Sequence, residues 1–248
     1  DAVFLTIGLG VLKILEGLTE SFGRAALPHI ARMGEATSNS SFSEKIEQML
    51  AFLMHAGLYF SIHVWIWAPV IIHAWLGTDY SGSIAIVRIM ACSALPYLAF
   101  TMLRTVVDAI EERAILTTYL FIAFLVTCTS SFIAVVVSPG AVEVALGTAL
   151  GIWTVGLMTT WYVAKRFEAN FWRLTVRPMI VMNATLAVVA AWIADSSREM
   201  SSGAAFFLMF TVELALFLFY LDVLRRCGAT WVATLVDRVA GLMGQSGK

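Results

Sequence analysis

Four charged side chains, Lys13, Glu16, Glu20 and Arg24, recur inside a first segment that is otherwise apolar enough to be buried in lipid. At about 100° per helical residue they fall within a wedge of roughly 80°, so they share one face. A single Lys or Asp at the centre of a membrane helix costs about 2.5 to 3.5 kcal/mol. Four on one face are tolerated only where that face meets protein or water. The stripe therefore either lines an interior path or pairs internally, three and four residues apart, and fixes helix packing.

The rest of the chain agrees with burial in lipid. Of its 248 residues 60% are hydrophobic and 13% charged, where a soluble domain carries about 25% charge. Seven apolar runs, residues 2–30, 46–76, 83–110, 114–137, 141–164, 178–194 and 203–223, are separated by short polar breaks. Alternation with a period of two is absent, so the expected fold class is all-α, a polytopic membrane helix bundle of about seven spans. The breaks carry turn chemistry: residues 34–43 are rich in Ser, Thr and Asn, and Ser138, Pro139 and Gly140 form a tight reversal.

Basic residues set the expected orientation. Arg32, Lys45, Arg113, Lys165, Arg166, Arg173, Arg177, Arg225 and Arg226 fall at alternate breaks and in the tail, which places those loops and the C-terminus in the cytoplasm. Phe167, Phe171 and Trp172 fit the headgroup layer, and Trp231, Leu235, Val239 and Leu242 recur at helical spacing in an amphipathic tail. The first run opens apolar and uncapped, without the basic leader of a signal peptide, and reads as a cut through a larger protein. Cys92, Cys128 and Cys227 are scattered and read as small apolar fillers.

Further in, Pro96 interrupts the third run and predicts a kink. Arg104 lies inside the cytoplasmic end with Asp108 one turn away, so the two either neutralise each other or leave Arg104 free to grip a phosphate or carboxylate with its fork of donors. Glu213 sits mid-span in the last run, as a proton or ion site or as a partner of Asn183. His55 and His63 share the second run through Tyr59 but lack a third ligand, so no metal is expected. Trp65, Trp67 and Trp75 read as an interfacial aromatic belt rather than a sugar-stacking platform.

Leu27, Pro28, His29, Ile30 and Ala31 end the first run. Ala68, Pro69, Val70, Ile71 and Ile72 precede Leu76, Gly77, Asp79 and Tyr80, and Leu95 and Pro96 precede the stretch from Leu103 to Arg113. Together these resemble the helix-end and turn motifs of polysaccharide and O-antigen flippases of the multidrug/oligosaccharidyl-lipid/polysaccharide exporter superfamily. The pattern departs at Thr105 and Glu111, where the family has a small residue and glycine, and at Glu112, where a basic residue is common. The resemblance implies residues 1–195 as an incomplete carboxy-terminal transporter lobe, 196–224 as a last transmembrane hairpin partner and 225–248 as the cytoplasmic tail. It implies transbilayer export of a lipid-linked oligosaccharide by alternating access in a bacterial inner membrane, as a transporter and not an enzyme. The partners would be the lipid-linked glycan, membrane lipids and a missing amino-terminal lobe.

On that reading Lys13, Glu16, Glu20, Arg24, Arg104 and Asp108 line the substrate path, and Glu20 and Glu213 are candidates for proton or ion coupling. No cofactor, metal or nucleic acid is expected, and no phosphate-binding GxxxxGK loop is present. A multidrug or cation extruder of the same superfamily would want an acidic, aromatic cavity. A glycan polymerase or ligase would want a large outer loop, which the short breaks do not supply.

Overall fold

Backbone in hydrocarbon has no water to bond, so each apolar run must close its hydrogen bonds within itself. The computed structural model describes the backbone of residues 2–14, 16–17, 39–110, 114–167, 171–196 and 200–226, with the side chains of these residues except 39–54, 109–110, 167, 171–182 and 223–226. Among the described residues the regular elements are all helical. They are α1 (Ala2–Ile14), α2 (Asn39–Trp75), α3 (Ser83–Ile110), α4 (Ile115–Val137), α5 (Ala141–Phe167), α6 (Phe171–Ser196) and α7 (Ser202–Arg226), with one 3-10 turn at Thr78–Tyr80. Among the described residues five stretches are long and apolar enough to cross a bilayer: His55–Trp75, Ser83–Asp108, Ile115–Val137, Ala141–Arg166 and Ser202–Asp222. The chain is a multi-pass membrane bundle. The first expected span lies largely outside the described residues, and the second and sixth are described in backbone throughout but in side chains only from His55 and Asn183 onward.

Two boundaries differ from those read in the sequence. Helix α2 begins at Asn39, inside the polar stretch taken as a break, and α6 begins at Phe171 rather than Pro178. Hydropathy marks where lipid begins, but a helix continues through polar residues until its backbone bonding is interrupted. Helix α3 runs unbroken through Pro96, as α2 does through Pro69. Helix α2 ends where the N–H groups of Leu76 and Gly77 both bond the Ile72 carbonyl, with Gly77 at φ 91° in the conformation that favours glycine. The amphipathic tail, including Trp231 and Leu235, lies outside the described residues.

Helix α3 is central. Over half of its spanning stretch, 56%, is buried, against 6% for α4 and 11% for α7, which face outward. On one side Ile86, Met90, Ala94 and Leu98 meet Leu12 of α1 and Ala145 and Ala149 of α5, and on another Val87 packs against Ala68 and Ile72 of α2. Lipid tails are as apolar as these side chains, so close approach of small residues matters more than hydrophobic burial. Gly147 and Gly151 of α5 face Ser131 and Thr127 of α4 so closely that an added Cβ would overlap them, and Gly156 does the same against the Pro96 backbone of α3. Helices α6 and α7 pack on α2. That last contact builds the site.

Candidate functional site

His55, Tyr59, His63 and Trp67 are spaced four apart and ascend one face of α2. Glu213 and Tyr220 are seven apart, two helical turns, and share one face of α7. Where the faces meet, three donors of α2 converge on one carboxylate. The Tyr59 hydroxyl donates to Glu213 Oε2 at 2.9 Å, and Glu213 Oε1 receives His63 Nδ1 at 2.7 Å and Trp67 Nε1 at 2.5 Å. One turn further along, His55 Nδ1 and the Tyr220 hydroxyl share a bond of 2.6 Å, and the Asn183 amide of α6 donates to the same hydroxyl at 3.4 Å. Three helices are thereby tied by one polar network.

The rings around the carboxylate are ordered. Tyr59 stacks on His63 with centroids 4.1 Å apart and 16° between planes, and Phe217 and Tyr220 approach Tyr59 at 5.8 and 5.3 Å. A cavity of about 370 Å³ borders them, walled by Phe60, Val64, Ile71 and Met209 as well as by the network. The His63 side chain is 5% exposed and that of Glu213 21%, and the surface they present to the cavity is almost wholly apolar.

A carboxylate accepts at both oxygens, and here three N–H and O–H donors occupy them. Neutral His63 donates from Nδ1 only in the tautomer that leaves Nε2 as an acceptor. That Nε2 is buried and bonds no described residue.

Of the residues expected on a substrate path, Lys13 and Glu16 are exposed on the N-terminal helix, and Glu16 is hydrogen-bonded to Tyr97 of α3. Glu20 and Arg24 lie outside the described residues. Arg104 and Asp108 are 57% and 54% exposed and joined at 3.3 Å between Nε and Oδ2. None of the described members lines the Glu213 cavity. Glu213 does lie in an intramembrane site, but its partners are on α2, and Asn183 enters the cluster through Tyr220. Of the three tryptophans read as an aromatic belt, Trp65 and Trp75 are 45% and 68% exposed, whereas Trp67 faces inward. Trp67 is 1% exposed because its indole N–H is consumed by Glu213.

Of the network, the sequence marked Glu213 as functional and Asn183 as its partner; it named His55 and His63 only to set metal binding aside, and did not mark Tyr59, Trp67 or Tyr220. Their signal was the four-residue ladder on α2 and the seven-residue step on α7, which acquire meaning only once the two faces are paired. The chain matches no protein-family model and no curated protein.

Proposed function

We propose that this chain is one lobe of a membrane exporter that carries a lipid-linked oligosaccharide across the bilayer by alternating access, coupled to protons through Glu213 and His63. The observation that carries transport is the three-donor clasp on an intramembrane carboxylate beside a cavity. Packing alone does not call for a charge at this depth, and ionisable groups inside membranes mark ion and substrate routes. The substrate class rests on the motif resemblance from Leu27 to Arg113. The setting proposed with it is a bacterial inner membrane, with the C-terminus cytoplasmic.

The coupling step follows from the donors. With Glu213 ionised, Tyr59, His63 and Trp67 hold α7 to α2. Protonation at Glu213 leaves one oxygen carrying a hydrogen, so one acceptor position becomes a donor and the charge-assisted bonds weaken. Helix α7, little buried, then keeps its Tyr220 bonds to His55 and Asn183 and pivots about them. The lobe alternates between two packings whose balance is set by one proton.

A second reading has an observation of its own. Glu213 stands among Tyr59, Phe60, Trp67, Phe217 and Tyr220, and a carboxylate among aromatic faces suits an organic cation. The two readings part in a bacterial strain lacking its own flippase. Restored surface glycan with the full-length protein, lost in Glu213→Gln and weakened in Lys13→Ala, Arg24→Ala or Arg104→Ala at matched abundance, supports glycan export. Gain of resistance to cationic drugs without restored glycan replaces it with cation extrusion.

A further inference from the structure

A second cavity lies away from Glu213, at the end of the bundle that holds the turn between α2 and α3. It measures about 600 Å³ and is walled by Trp65 and His73 of α2, Arg88 of α3, Ala191 and Asp195 of α6, and Ser202 of α7.

Arg88 is the organising residue. Pro69 has no N–H, so the carbonyl four residues before it, that of Trp65, lacks its helical donor. Arg88 Nε supplies one at 3.0 Å. The guanidinium carbon also sits 4.6 Å from the centroid of the Trp65 ring, a cation–π contact. These two contacts fix the plane of the fork and use one of its five N–H donors. The terminal nitrogens bond no described residue. They line the cavity fixed in place, in the geometry that grips two oxygens of a phosphate at once. His73 stands on the same wall, held by Ser81 at 3.1 Å. Asp195 of α6 also lines the cavity and is already engaged with a partner of its own.

We propose that this cavity binds a phosphate or diphosphate ester, with Arg88 as the bidentate contact and the Trp65 face as its wall. The inference rests on the export reading and adds to it the place on this lobe where the charged head of the substrate is held.

The test uses the full-length protein in phosphatidylcholine nanodiscs and tritiated farnesyl diphosphate, with empty discs subtracted. Saturable binding is expected, with farnesol unable to compete. Arg88→Lys keeps the charge and a donor for the Trp65 carbonyl but loses the fork, and should weaken binding at least tenfold. Ala191→Trp fills the cavity without touching Arg88's bonds and should weaken it as much. Thr154→Ala, whose hydroxyl bonds only the Leu150 carbonyl of its own helix, should bind as wild type does.

Full competition by inorganic diphosphate would mean that the phosphate alone is recognised; competition by prenyl diphosphates only would mean that the lipid-borne form is required. Either supports the site. No saturable binding, equal competition by farnesol, or unchanged affinity in both Arg88→Lys and Ala191→Trp overturns it. Failure here with surface glycan still restored leaves export standing, and intact binding without glycan restoration leaves only the site.

Discussion

At the scale of single residues, Glu213 is the most consequential side chain because three donors depend on it. Trp67→Phe removes one charge-assisted bond and should cost about 1.5–3 kcal/mol, read by equilibrium denaturation in detergent. His63→Ala and Glu213→Ala, singly and together, should show a coupling energy of about 1–3 kcal/mol, since they share one network. Arg104 is the contrasting case. Its bond to Asp108 is exposed on both sides, so Arg104→Ala should change stability by less than about 1 kcal/mol. Restored transport in Arg104→Glu paired with Asp108→Arg would make the pair structural, and continued loss would leave Arg104 a role of its own. The sequence exposed Glu213 by its cost in lipid and named both histidines on α2. It did not join them, because His63 and Glu213 are 150 residues apart and no local pattern encodes that meeting.

At the scale of elements, two kinds of contact hold the bundle. Helices α3, α4 and α5 meet through glycines pressed against backbone or hydroxyl groups, whereas α2, α6 and α7 meet through hydrogen-bonded side chains. Gly156→Leu forces a side chain against the Pro96 backbone, which has no rotamer with which to yield. It should destabilise the fold by about 1–3 kcal/mol, seen as a lowered melting temperature in detergent. The glycine contacts resist sliding, and in the proposed mechanism the polar contacts switch with a proton, which puts the motion on the α7 side. Helix existence was legible from run length and from the absence of strand alternation. Helix starts were not, since Asn39–Lys45 is polar yet helical. Pro69 read as a family motif, and its partner Arg88 was invisible because a freed carbonyl has no signature in the residue that caps it.

At the scale of the whole molecule, a core of α3 and α5 carries an α2 face on which Glu213 and Tyr220 hold α7. Composition was enough to give this architecture as a membrane helix bundle, because so apolar a chain must satisfy its backbone internally. The charge stripe from Lys13 to Arg24, the strongest signal in the sequence, falls half outside the described residues, and the described centre of polar chemistry is elsewhere. The central claim is that a proton on the Glu213–His63 pair drives export. It is tested most directly in inverted vesicles containing the full-length protein, by following transfer of a fluorescent short-chain glycosyl prenyl diphosphate under an imposed pH gradient. Wild-type transfer should accelerate with the gradient, while Glu213→Gln, at equal abundance, should not respond. A gradient response that survives in Glu213→Gln would contradict the account.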